Sequence, residues 1–304
     1  VARHETGGLN LRVVHAPEVL TMEDHAEDVR RKENSSIRVG MRLVKDGEAD
    51  AFVSAGNTIA CLSSAIFDLR RIRGIRRPAL ATVYPIAFQP LLFLDMGATA
   101  DPKPEMYLQF ARMGVIYAER VLGIRNPRVG LLANGEEEEK GTIVLREVFH
   151  LFQEHAQSDG EGALNFIGNV EPKEVVRGEA DVVVTDGFTG NIHIKTAEAV
   201  ASFLKRLIQR DVIGPVWSKI GLVLLIPGLI VGLPGLLLLL PGLRRLIKRL
   251  DYAEVGGGLL MGVNGVVIVG HGRSNAKAVK NAILRAREAV AADVVPTIRE
   301  GLGA

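Results

Sequence analysis

Short apolar runs of strand character alternate with helix-forming stretches almost throughout this chain of 304 residues, and that alternation constrains its fold more than any other feature. Strands separated by a helix pair in parallel, with the crossover helices packed on both faces of the sheet. The strand candidates are 11–15, 51–54, 91–95, 129–133, 164–167, 182–185 and 266–269. Several are nearly unbroken apolar runs, as strands buried on both faces need to be. Helices are expected at 24–46, 58–72, 104–122, 141–157, 191–211 and 274–299, the last opening behind Ser274 as a cap. No Ser- or Pro-rich linker divides the chain, so a single α/β domain over 1–304 is expected, a Rossmann-like parallel sheet with helices on both faces.

One segment breaks the rhythm. Residues 221–243 contain no charge, repeat LVLLIPG, LIVGLPG and LLLLLPG at a period of seven, and include 15 Leu, Ile or Val side chains. Each contributes roughly 1.5–3 kcal/mol when fully buried, so this stretch does not stay in water. It is long enough to span a bilayer, but Pro227, Pro234 and Pro241 cut it into pieces of about six residues, roughly 9 Å of helix each. The expectation is a protruding apolar excursion over 212–250 that enters one leaflet shallowly. Leu225, Leu229, Leu236 and Leu239 would face the lipid, and Arg244 and Arg245 the anionic membrane surface.

Composition excludes other classes. The net charge of +2 supplies no field to recruit nucleic acid. Cys61 is the one cysteine, so no internal disulfide forms, which fits a reducing cytoplasm, and its apolar surroundings read as core. The chain opens at Val1 on polar residues and without a methionine, and it reads as a chain whose natural start lies upstream.

Three strands end in small, polar turns: Ser54-Ala-Gly-Asn-Thr58, Asp95-Met-Gly-Ala-Thr99 and Thr185-Asp-Gly-Phe-Thr-Gly-Asn191. A fourth, residues 134–141, adds Lys140 beside the carboxylates of Glu136–Glu139. In a parallel sheet all four lie on one edge, where glycine admits an anion to the backbone and helix N-termini face it. Neighbouring carboxylates at i and i+1 point apart, so the acidic run reads as a solvated helix start rather than a metal site. The run Arg70–Arg77 has two open readings, a helix C-terminus that complements the dipole or a dock for an acidic protein. His193 and His271 read first as hydrogen-bonded structural rings, with His271, in Gly270-His-Gly-Arg-Ser274, carrying more functional weight. No Cys/His metal spacing, phosphate-binding Walker loop or GxSxG elbow occurs, so no metal and no cofactor are expected.

The strings SAGNT (54–58), RRPALA (76–81), LDMGA (94–98), DPKPE (101–105), RVGLL (128–132), EEEEKG (136–141), NFIGNVEP (165–172), VVVTDGFTGN (182–191) and GHGRSNAKAVKNAI (270–283) run over nearly the whole chain. In this order they resemble the phosphate acyltransferase family of bacterial phospholipid synthesis. The family's opening strand, with its Asp-Ala-Met-Gly-Gly-Asp turn, has no counterpart here. Thr99 and Ala133 stand where the family has asparagine, and 84–90 replaces a glycine-containing turn. The resemblance implies a fold related to phosphotransacetylase and to the isocitrate dehydrogenases. It also implies a homodimer that converts long-chain acyl-carrier protein and inorganic phosphate into acyl-phosphate. The expected setting is the cytoplasm, peripherally at the inner face of the cell membrane, with coupling to a membrane glycerol-3-phosphate acyltransferase.

Phosphate is itself the nucleophile in that reaction, so the chain supplies positioning and charge rather than an attacking side chain. Lys140, Asp186 and Asn191 are the expected catalytic residues. Gly56, Asn57, Thr58, Asp95, Gly187, Gly190 and His271 are the expected substrate contacts. The rival readings are a transferase for short coenzyme A esters and a non-catalytic membrane-attached scaffold of the same fold.

Overall fold

The computed structural model describes residues 10–84, 87, 89–157, 163–213, 256–272 and 274–302, with 8, 215, 216, 224 and 239–242 as isolated positions. Its strands are β1 (Ala51–Ser54), β2 (Ala79–Val83), β3 (Leu92–Leu94), β4 (Val129–Leu132), β5 (Phe166–Val170), β6 (Val182–Val184), β7 (Gly258–Met261) and β8 (Val266–Val269). They form one sheet in the order β1-β8-β7-β2-β3-β6-β4-β5. The expected parallel pairing holds at the flanks, between β1 and β8 and through β3, β6, β4 and β5. The centre differs. β8–β7, β7–β2 and β2–β3 are antiparallel. Residues 262–265 join β7 to β8, too short a link for the crossover that parallel strands need. Strands β2 and β7 are additional to the expected seven, and residues 11–15 form no strand; Leu11, Val13 and Val14 are exposed there.

The helices also refine the expectation. The helix expected at 24–46 is two, α1 (Ala26–Arg31) and α2 (Ser36–Lys45), parted at 32–35. The next, α3 (Thr58–Ser64), widens into a π-helical turn at Ala65–Leu69. After α4 (Pro104–Arg120) comes α5 (Ile143–Ala156), capped by Thr142, whose hydroxyl accepts the Leu145 N–H. Helix α6 (Pro172–Arg177) is additional to the expected set; it opens on proline and stops at Gly178 with φ of 76°. Helix α7 (Gly187–Leu207) continues through Ile208–Ile213. The C-terminal helix is two, α8 (Ala276–Ala291) and α9 (Val294–Gly301), because Asp293 turns left-handed at φ 49°. Asn275, not Ser274, caps α8: its Oδ1 accepts the Ala278 N–H.

Helices α4, α5, α8 and α9 bury one face of the sheet around Phe110, Leu131, Phe152 and Ile268. The other face carries two separate clusters. Met41, Cys61, Leu69 and Val267 lie under α1–α3, and Leu91, Phe93, Val175 and Val183 under α6 and α7, with Leu80 touching both. Crossover helices cover parallel strands, whereas the antiparallel centre needs no crossover, so the face over β2 and β7 is left open. Burial pushes the Cys61 thiol up to about 11, consistent with a core residue. Under α2, Arg38 grips buried Asp68 through two bonds of 2.9 and 2.7 Å.

Among the described residues no helix is long and apolar enough to cross a membrane. Leu225, Leu229, Leu236, Arg244 and Arg245 lie outside the described residues; Leu239 is helical and exposed.

Candidate functional site: a glycine-walled cleft beside α7

The open face holds a cleft of about 970 Å³. Leu80 and Thr82 of β2 and the run Gly256-Gly-Gly258 line it. The turns after β1 and β8 contribute Ala55–Ile59 and Gly270–Gly272. Helix α7 contributes Asn191, Ile194, Lys195 and Glu198. Glycine is required at the start of β7, since a Cβ on Gly257 would stand 2.8 Å from the Val269 carbonyl oxygen. On Gly256, at φ 76°, it would stand 2.5 Å from the Ala282 nitrogen.

Inside the cleft the Lys195 ammonium donates to His271 Nε2 at 2.6 Å, and Glu198 Oε2 lies 3.7 Å from the same ammonium nitrogen. Lys195 follows Asn191 by four residues, one helical turn, so both face the same way. Asn57 is spent on structure. Its Oδ1 caps α3 by accepting the Ala60 N–H, and its Nδ2 donates to the carbonyls of Thr21 and Asp24 at 3.1 Å each, which holds the segment whose Thr21 and Met22 line the cleft. The Gly56 N–H donates to Ser54 Oγ, and Thr58 opens α3 at the rim.

Asp95, Gly187 and Gly190 form a packing knot. The fully buried Asp95 carboxylate accepts four backbone N–H groups, from Leu80, Gly97, Ala98 and Thr99, at 2.6–3.1 Å. Burial pushes its pKa up to about 6 against those four donors. A Cβ on Gly190 would collide with the Asp95 carbonyl oxygen, and one on Gly187 would stand 2.7 Å from Asp95 Oδ2. Both glycines therefore let the first turn of α7 dock on the turn after β3. Asp186 accepts the Thr189 N–H at 2.7 Å and caps that helix.

The four glycine turns do not share an edge. Three successive antiparallel pairings reverse the sense of the sheet, so β1 ends on the edge opposite to β3, β6 and β4. The Lys140 loop faces away from the cleft. Its residues Asn134, Gly141 and Thr142 border a second cavity on the other side of α7. Nor is the acidic run a helix start, because α5 begins only at Ile143. Glu136 pairs with Lys173 at 3.0 Å, Glu138 with His150 at 3.5 Å, and Glu137 with Lys140 at 4.0 Å. Among the described residues no group of three His, Cys, Asp or Glu could hold a metal ion. In the basic run, Arg76 meets Glu105 at 3.4 Å, and Arg71 donates to the Arg76 carbonyl. His193 lies against Phe93 and Tyr84, ring centroids 5.1 and 5.2 Å away, and burial lowers its pKa. Its Nε2 finds no hydrogen-bond partner among the described residues, so ring packing rather than the expected hydrogen bonding holds it.

Lys195, Glu198 and Gly256–Gly258 line the cleft without any sequence motif that marks them. Helical spacing from Asn191 is the available signal for Lys195.

A family model described as fatty acid synthesis protein matches residues 1–297. The phosphate acyltransferase of Herpetosiphon aurantiacus is 46% identical over 99% of this chain and 86% of its own length. That of Pelotomaculum thermopropionicum is 45% identical over 99% of this chain and 82% of its own. Among solved structures, the EutD phosphotransacetylase from Staphylococcus aureus superposes with a TM-score of 0.52 at 16% identity, covering 85% of this chain and 68% of that one. A phosphotransacetylase from Streptococcus pyogenes gives 0.51 at 17%, covering 88% and 70%. At such identities the structural likeness speaks for the fold alone.

Proposed function

The chain belongs to the fatty acid synthesis protein family, and on that premise we propose that this acyltransferase moves a long-chain acyl group from acyl-carrier protein to inorganic phosphate. The observation that carries this reading is the Lys195–His271 pair inside the glycine-walled cleft. A phosphate oxygen attacks the thioester carbon, the C–S bond breaks, and the departing thiolate takes up the proton that phosphate loses. Two charges need support along that path: the anionic phosphate, and the oxyanion of the tetrahedral intermediate. Lys195 supplies the cation, held in place by the imidazole of His271, and the Asn191 amide is a donor one turn away. Asp186 acts from outside the cleft by fixing the first turn of α7, and Lys140 belongs to the loop across that helix. The reaction balances without redox cofactor or nucleotide.

The test is release of carrier thiol that depends on added phosphate. Carrier-bound and coenzyme A thioesters are compared, which separates this reading from a short-chain transferase. No phosphate-dependent release from either thioester would overturn it.

The same reading makes the enzyme a peripheral homodimer at the inner face of the cell membrane. There it passes acyl-phosphate to a membrane glycerol-3-phosphate acyltransferase. Support comes from the uncharged run 221–243 with Arg244, Arg245, Lys248 and Arg249 behind it, and from exposed Phe203, Leu204, Leu207 and Ile208 on the chain leading towards it. Flotation with anionic vesicles checks this: deletion of 221–243 is expected to abolish binding.

A further inference from the structure

The cavity on the far side of α7 also measures about 970 Å³, within the roughly 300–1,000 Å³ of small-ligand sites. Its walls are largely apolar, built by Leu132 and Ala133 at the end of β4, Leu145 of α5, Val176 of α6, and Ala197 and Val200 of α7. Among the described residues no Lys or Arg lines it, and the one carboxylate among them, Glu171, is held by Lys173 at 3.0 Å. The ring of His193, clamped against Phe93 and Tyr84, is kept towards its neutral form by burial. Along its lining, Ile192 and Val200 remain 52% and 51% exposed. Such a volume calls for an apolar occupant.

We propose that this cavity takes the hydrocarbon tail of the acyl substrate, with α7 dividing the tail from the headgroup. The inference rests on the acyl-transfer reading above. Helix α7 turns Asn191 and Lys195 to the cleft and Thr189 and Ile192 to the second cavity, so its first turns border both. A substrate whose carbonyl sits at that helix end meets a polar side for phosphate and thiol and an apolar side for the tail. Each methylene entering the cavity should tighten binding about three- to four-fold until the cavity is full. Selectivity for long chains is then set by residues that touch neither phosphate nor thioester.

The experiment is a series of acyl-carrier substrates from six to sixteen carbons with the parent, Ala197→Phe and Val200→Trp. In parallel, the fluorescent eighteen-carbon cis-parinaric acid is titrated into each protein without carrier or phosphate. The parent should show a KM that falls with chain length. The variants should lose at least about ten-fold of their long-over-short preference and bind the probe correspondingly more weakly. Val200 is half exposed, so its tryptophan variant keeps the test open if Ala197→Phe does not fold. An unchanged length preference in a folded variant overturns the inference. So does Val200→Trp separating subunits while leaving the length profile intact, which would make this face a subunit contact. If no substrate yields acyl-phosphate yet both variants weaken probe binding, the acyl-transfer reading fails and the tail site stands.

Discussion

The parallel flank and the antiparallel centre use glycine in opposite ways. At the flank, Gly187 and Gly190 are filled from outside by the Asp95 turn, and their missing side chains let α7 dock. In the centre, Gly256–Gly258 press against β8, α8 and β2, while Gly270 and Gly272 line open space, where a Cβ would find no heavy atom nearer than 3.3 Å. A glycine-rich turn after a strand thus says only that the backbone must come close to something. Whether that something is the protein itself or a ligand depends on whether a helix already covers the position. Crossover helices cover the flank, and the hairpin-like centre leaves the gap that Lys195 lines.

That contrast can be broken or sharpened by substitution. Gly190→Ala should have the largest effect, costing about 3 kcal/mol of stability because the clash is with backbone, and lowering the melting temperature by several degrees. A variant melting within a degree of the parent would remove the packing role. Lys195→Ala should leave melting unchanged and cut turnover about 10²-fold, as loss of one preorganised charge does. Lys140→Ala, a half-exposed residue across α7, should stay within about three-fold of the parent; equal losses in the two would move the chemistry to the flank. Gly56→Ala should fold, since its Cβ meets only Ser54 Oγ at 3.3 Å and Ile37 at 3.7 Å, and should raise the KM for phosphate several-fold, roughly a 1 kcal/mol loss of binding. A normal KM would take the turn after β1 out of the site. The smallest effect concerns His193, whose folded pKa lies below its ordinary 6.5 because of burial. Stability is therefore full above about 6.5 and is lost as pH falls towards the lowered value. His193→Phe should flatten that acid limb in melting curves between about pH 7 and 5; an unchanged limb would assign it to another group.

Much of the flank is legible in the sequence because β3, β4 and β6 are buried on both faces and read as apolar runs bounded by turns. The centre is not, because strand–helix alternation presumes crossovers. In β2, the small residues of Ala-Leu-Ala-Thr-Val do not stand out, and in β7 three glycines open the strand region. A signal is nonetheless present: Asn264-Gly265 between Leu-Leu-Met and Val-Val-Ile-Val is a hairpin signature. Of the expected site residues, Gly56, Asn57, Thr58, Asn191 and His271 meet in one cleft, whereas Lys140, Asp95, Asp186, Gly187 and Gly190 do not line it. Strand direction takes Lys140 away from the turn after β1. Asn191, however, shares its turn with Asp186, Gly187 and Gly190, so within that turn it is packing on the turn after β3 that decides. No turn motif encodes either locally.

The pairing of β1 with β8 has a consequence for how the chain emerges from the ribosome. Strand β1 is complete roughly 200 residues before its partner is made. At about 5–20 residues per second that is a wait of roughly 10–40 s. Strands β3, β4, β5 and β6 all lie within residues 92–184 and can assemble meanwhile, with β1 left holding an unpaired apolar edge. The cleft is drawn from the turn after β1, the start of β7 and the turn after β8, so it comes into being only once residues 256–272 are made. A nascent chain stalled before residue 256 would carry a folded flank and no glycine-walled cleft.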